Sequence, residues 1–207
     1  MKKEIILASG SPRRRELLNQ IGIDFTVITS DADEITTEKS PEKIVMQLSS
    51  LKAEAVAKLP VKKSTAAVQK SAAASFGDSD SYVIIGADTI VYADGQVLGK
   101  PRDERHAFDM IKCLSGGSHS VYTGVTFICG KEKTSFYEQT EVYVYDMTDK
   151  KILDNKKTKE PMDKAGAYGI QGRFAAFVSK IEGDYNSVVG LPVGRVYQEL
   201  RKAGYIG

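Results

Sequence analysis

The run Val83-Ile84-Ile85-Gly86-Ala87-Asp88-Thr89-Ile90-Val91 is apolar at both odd and even positions, so it reads as a central strand covered on both faces. Such a strand belongs in a layered α/β fold. Asp94-Gly95 follows as a hairpin-turn signal leading into Gln96-Val97-Leu98. His119, Val121, Thr123, Val125 and Phe127 alternate with period two, and after a Gly130-Lys131 turn so do Thr140, Val142 and Val144. Helical spacing marks Pro41 to Leu59, with Ile44, Val45, Leu48, Leu51 and Ala55 on one face, and again Ala107 to Leu114. Asp149 to Lys159 reads as a charged, exposed helix, Phe174 to Val178 as a strand and Pro192 to Lys202 as a closing helix. Hairpins interleaved with helices predict a mixed sheet with flanking helices. No period of repetition suggests a solenoid.

The amino-terminal stretch carries the first chemical signal. Ile5, Ile6 and Leu7 read as a short buried strand. Ser11 suits an N-cap and Pro12 the first helical turn; Leu17, Leu18 and Ile21 give the helix its apolar face, and Gly22 stops it. Ile23 to Val27 alternates like a half-exposed strand. Arg13, Arg14 and Arg15 sit where the helix dipole is positive, a penalty of roughly 0.3–1 kcal/mol each. A solvated basic turn would tolerate them. So would a polyanion held by free backbone N–H groups and guanidinium forks together.

The chain has 207 residues, read as one domain spanning 1–207. Lys62 to Ser81, rich in Ala, Ser and Lys, reads as a flexible surface insertion with a weak helix around Ala66 to Ala74. Net charge is only +2, so no global field favours nucleic acid or acidic membranes, and any anion site must be local. Cys113 and Cys129, the only cysteines, have no metal or disulfide spacing; both read as packing residues in a reducing cytoplasm. Neither a membrane span nor a signal-peptide core is expected.

Asp88 is the sharpest single position. A carboxylate inside an apolar strand is costly unless paired, metal-bound or at the strand's open end. Two jobs suit it: general base for a water, or ligand of a hard cation. Thr89 faces the other way. Lys100 and Arg102 flank Pro101 beyond the hairpin, either a plain surface turn or a clamp for phosphate oxygens. Glu34 tops the acidic run from Asp31; it is a solvated loop residue or a second magnesium-type ligand. Lys52, among helical apolar positions, could snorkel to solvent. The glycine-rich segment Gly166 to Gly172 offers Gln171, whose amide can read a base edge. Neither His106 nor His119 has a metal-ligand partner at useful spacing. Walker, Rossmann and nucleophile-elbow motifs are absent. Cations for phosphates, an intrastrand acid and an amide for a base suggest hydrolysis of a nucleotide phosphoanhydride.

Leu7-Ala8-Ser9-Gly10-Ser11-Pro12-Arg13-Arg14, Ile85-Gly86-Ala87-Asp88-Thr89 and Gly99-Lys100-Pro101-Arg102-Asp103 resemble the Maf family of nucleotide pyrophosphatases. So do Leu114-Ser115-Gly116, Ala165 to Gly172 and Val188-Val189-Gly190-Leu191-Pro192, in the same order across nearly the whole chain. The family is also called septum formation inhibitor. The resemblance implies an elongated sheet with two lobes around a cleft, like inosine triphosphate pyrophosphatase. It implies cleavage between the α- and β-phosphates, giving a monophosphate and pyrophosphate, with a divalent cation (Mg²⁺, or else Mn²⁺ or Co²⁺). Asp88 matches the family's proton acceptor, and Glu34, Lys52 and Lys100 match its acid and lysines. Asp88 and Glu34 would hold the metal. Ser9 and Arg14 match the family's phosphate loop, where backbone donors at Ser9 to Ser11 would orient the triphosphate. Arg13, Thr89 and Gln171 match the positions that mark a dTTP- and UTP-cleaving subgroup. A homodimer acting on nucleotides, without nucleic-acid or membrane partners, is expected. The competing reading is a non-catalytic nucleotide sensor that restrains division, which would not need Asp88 beside Lys100.

Overall fold

A computed structural model describes residues 3–30, 35–59, 79–156 and 160–207. At its centre lies β3 (Tyr82–Ala93), buried over nearly its whole length. β1 (Glu4–Leu7) runs parallel to the first half of β3, and β2 (Phe25–Val27) lies parallel to β1 beyond it. At the expected hairpin Asp94 and Gly95 take φ of 49° and 76°, and β4 (Gln96–Leu98) folds back antiparallel on Val91–Ala93. On the other edge β5 (Ser118–Cys129), β6 (Glu132–Val144) and β7 (Val178–Glu182) follow antiparallel, completing a mixed seven-stranded sheet.

β1 and β4 share one edge of β3 without meeting. Leu7 pairs with Ile85 and Leu98 with Val91, so between them β3 has no strand on that side among the described residues. Side chains from both faces of β3 therefore reach one opening. This break in the sheet is where the cleft forms.

Among the described residues, α2 (Pro41–Ala57) covers one face, and α1 (Pro12–Gln20), α3 (Glu104–Leu114) and α6 (Val193–Lys202) pack on the other. The larger core lies on the second side, where Ile85 and Val91 meet Leu18, Ile111 and Val196. Leu17 and Leu18 are both buried. At roughly 1.5–3 kcal/mol for each such side chain, their burial outweighs the cost of cations in the first turn of α1. Under α2 the core divides into two small clusters, one around Ile84 and Ala53, the other around Ile90 and Val45. Between them lie Gly86 and Gly124. A Cβ on Gly86 would stand 2.2 Å from the Ser49 carbonyl oxygen, and one on Gly124 would stand 2.3 Å from that of Val45. The backbone of α2 thus rests directly on the sheet.

Several expectations need correction. Phe174 to Val178 is not a strand: Arg173–Phe177 forms a 3₁₀ turn and the strand is β7. Phe174, at 1% exposure, packs on Tyr168 and Phe177, and a turn brings residues three apart to one side where a strand would not. Cys113 is exposed and donates to Asp94 Oδ2 at 3.3 Å, whereas Cys129 is buried. The helix from Asp149 is described to Lys156 (α4), and it buries Ile152 completely. A short helix, α5 (Tyr185–Val189), had no sequence signal strong enough to announce it. The expected helix around Ala66 to Ala74 lies outside the described residues, as does the acidic run Asp31–Glu34; Ser79–Ser81 forms a 3₁₀ turn into β3. Among the described residues no helix is long and apolar enough to cross a membrane.

Candidate active site

A cleft of about 890 Å³ opens at the break in the sheet. Its first wall is the turn between β1 and α1. Ala8 extends the ladder by one bond to the Ile85 carbonyl, and then the Ser11 N–H donates to Ser9 Oγ at 3.3 Å. Ser11 occupies the N-cap with Pro12 behind it, but its hydroxyl caps no backbone group, and no acid sits in the first turn of α1. The helix end keeps its partial positive charge for the cleft.

Arg14 uses all three guanidinium nitrogens on protein acceptors. Nε donates to the Gly190 carbonyl at 2.8 Å, and the two terminal nitrogens to Ser9 Oγ at 3.0 Å and Thr89 Oγ1 at 3.2 Å. It ties the loop after β1 to β3 and to the end of α5. Thr89 Oγ1 in turn meets Thr123 Oγ1 at 2.9 Å, and Thr123 donates to the Ser187 carbonyl at 2.7 Å. Arg14→Lys keeps the charge but cannot span these acceptors, so a loss of about 2 kcal/mol in unfolding free energy is expected in denaturant titrations. Unfolding at the wild-type midpoint would remove this role.

Arg13 donates to the Val189 carbonyl at 3.3 Å and stands 4.0 Å from Asp163. Asp163 also takes Lys164 Nζ at 2.7 Å, and these two cations hold its carboxyl below the usual range against the opposing effect of burial. Lys164 is a cleft cation that sequence reasoning missed.

On the α2 side, Asp88 is 7% exposed and its Oδ1 accepts from Lys52 Nζ at 2.5 Å. Lys52 does not snorkel outward: its side chain is 18% exposed and turned onto the acid. The contact follows from Gly86 and Gly124, which let α2 descend far enough for Lys52 to reach β3.

The third wall is the segment from Asp163 to Gln171. The Gly166 N–H bonds the Gly99 carbonyl at 3.1 Å, joining this segment to the one that carries Lys100. Ser9, Ser11, Arg13, Arg14, Thr89 and Gln171 therefore border the same cleft as Lys52, Asp88 and Lys100, brought from five separate stretches of chain. Glu34 lies outside the described residues. The hydroxyl chain through Thr123 and Ser187 was also missed, since threonine in a strand gives no signal beyond strand propensity.

Known proteins resemble this chain along nearly its whole length. A family model described as Maf-like protein matches residues 4–203. A Lachnoclostridium phytofermentans protein named dTTP/UTP pyrophosphatase is 50% identical over 206 residues, covering 97% of this chain and 95% of that one. An Agathobacter rectalis protein of the same name is also 50% identical over 206 residues, covering 97% and 98%. One from Bacillus thuringiensis subsp. konkukian is 45% identical over 201 residues, covering 97% and 95%. Among solved structures, the Staphylococcus aureus Ham1 protein overlaps 70% of this chain and 73% of its own at 14% identity, with a TM-score of 0.43, too slight a likeness to argue from.

Proposed function

This chain belongs to the Maf-like family, and from that premise we propose that it hydrolyses dTTP and UTP to the nucleoside monophosphate and pyrophosphate. The observation that carries the reading is the Asp88–Lys52 pair beside the arginine loop, in a cleft large enough for a nucleotide. Support also comes from relatives that cover nearly the whole chain and bear that activity in their names. The non-catalytic alternative gives no reason for a buried acid in the cleft.

Arg13, Lys100 and Lys164, with the uncapped start of α1, gather the triphosphate tail. A water enters beside Asp88 and attacks the α-phosphorus; the bond from that phosphorus to the bridging oxygen breaks, and pyrophosphate leaves. Asp88 orients the water or takes its proton, and Lys52 offsets the negative charge that accumulates. Gln171 reads the pyrimidine edge by paired donor and acceptor.

A hard divalent cation fits this donor set when substrate is present. Among the described residues no cluster of three acidic, His or Cys ligands exists, but Asp88, with Glu34, would supply one or two carboxylates and the phosphates the remaining oxygens. Such an ion supplies charge neutralisation to the leaving pyrophosphate.

The purified chain with Mg²⁺ and dTTP is expected to yield dTMP and pyrophosphate in equal amounts, with UTP also cleaved and purine triphosphates much slower. Orthophosphate with dTDP as the product would place the broken bond elsewhere and sink the assignment.

A further inference from the structure

His119 belongs to neither the phosphate-gathering nor the hydrolytic group, yet it is 2% exposed in the core beneath the cleft. Its Nε2 shares a hydrogen bond of 2.7 Å with the Tyr168 hydroxyl, and the two rings meet nearly edge-on with centroids 5.3 Å apart. Nδ1 is buried without a partner among the described residues. Leucine here with phenylalanine at 168 would fill similar space with no orphaned polar atom, so stability alone does not require the pair.

The segment that this bond holds is the one carrying Gln171. Gly166 and Ala167 both take positive φ, 68° and 58°, and for alanine that conformation is strained. Strained backbone persists where its surroundings over-determine it. Here the restraints are the Gly166 N–H on the Gly99 carbonyl, Tyr168 stacked 4.4 Å from Phe174, and His119 on the Tyr168 hydroxyl. Three residues on, the turn closed by the Gly172 N–H on the Gly169 carbonyl presents Gln171 to the cleft.

We infer that His119 is a positioning residue for nucleobase recognition: by anchoring Tyr168 from β5, it fixes the height and orientation at which Gln171 meets the base. The inference rests on the proposed nucleotide reading of the cleft. Burial pushes the His119 imidazole down to about 4 and the Tyr168 hydroxyl above its ordinary value, so both are neutral near pH 7 and the anchor does not switch in that range. Of the phosphate-gathering side chains, Arg13 and Lys100 stand on other segments, and Lys164, held by its ion pair with Asp163, precedes the strained turn at Gly166 and Ala167, so the anchor acts on the base more than on the tail.

The test compares two ligands by calorimetry in the presence of Mg²⁺: the α,β-imido analogue of dTTP, which turnover cannot consume, and inorganic tripolyphosphate. Tyr168→Phe and His119→Leu are each expected to raise the Kd for the dTTP analogue about tenfold, the loss of one well-placed buried hydrogen bond. The Kd for tripolyphosphate stays within about twofold of wild type, because Arg13 and Lys100 stand on other segments and Lys164 lies across the strained turn from Tyr168. His119→Gln, which returns an amide near the Nε2 position, recovers most of the loss, and the double variant His119→Leu with Tyr168→Phe is no worse than either single change. Equal weakening of both ligands, or an unchanged Kd for the dTTP analogue in Tyr168→Phe, overturns the inference. Wild-type protein that binds tripolyphosphate but not the analogue overturns it through the reading beneath. Wild-type protein that binds the analogue yet releases no pyrophosphate from dTTP overturns the activity alone.

Discussion

Asp88→Asn is expected to lower pyrophosphate release from dTTP about 10³-fold, within the range general acid–base groups command. The substitution preserves shape and one oxygen, so the argument turns on charge. Asp88 is the acid on which Lys52 closes at 2.5 Å, on a strand whose other buried residues are apolar. An amide there neither accepts a proton from water nor holds a hard cation well. It also removes the carboxylate charge with which the Lys52 ammonium, mostly withdrawn from solvent, is paired, and a fall of about 2 kcal/mol in unfolding free energy is expected. A loss of that size is small beside the roughly 5–15 kcal/mol of a typical native protein, so activity and stability are read separately by steady-state kinetics and denaturant titration on the same sample. Turnover within tenfold of wild type would move the hydrolytic role to another residue.

The second large effect falls on stability. Gly124→Ala places a methyl group 2.3 Å from the Val45 carbonyl oxygen and 2.4 Å from its carbon, and neither is a side chain that can swing aside. Helix α2 must lift from the sheet, and a loss of about 3 kcal/mol or more in unfolding free energy is expected, the upper end for overpacking. Gly194→Ala is the control. No heavy atom lies near its added carbon, and in α6 the change trades glycine for the best helix former, so a gain of up to about 1 kcal/mol is expected. Equal midpoints for the two variants would show that α2 does not rest on the sheet backbone at Gly124.

Much of this organisation is legible in the sequence where the signal is local. The apolar run at Val83–Val91 becomes β3, Asp94-Gly95 becomes the hairpin, and the Ile5–Leu7 strand with its following helix starts and stops within a residue or two of expectation. Those features depend on period, capping and turn chemistry within a few residues. What was illegible depends on partners distant in sequence. Whether Lys52 turns outward or onto Asp88 is decided by two glycines on neighbouring strands that admit the helix. Phe174 leaves strand geometry because Tyr168 offers it a stacking partner. The His119 anchor could not be foreseen without knowing that β5 passes beneath the Gln171 segment. Of the candidate site, Asp88, the arginine loop and Gln171 were visible as residue types out of place; Lys164, Thr123 and Ser187 were not.

The gap between β1 and β4 along β3 makes strand register a functional quantity. Asp88 and Thr89 are consecutive and so project to opposite layers, yet the missing neighbour lets both border the same cleft. Sliding β3 by one position would exchange acid and hydroxyl between the layers, sending the carboxylate toward Arg14 and away from Lys52. The ladder to β5, continuous from Ile84 to Tyr92, guards against that slip. Natural variation in this protein is therefore expected to avoid single-residue insertions in β3 and β5 more strictly than packing alone would require.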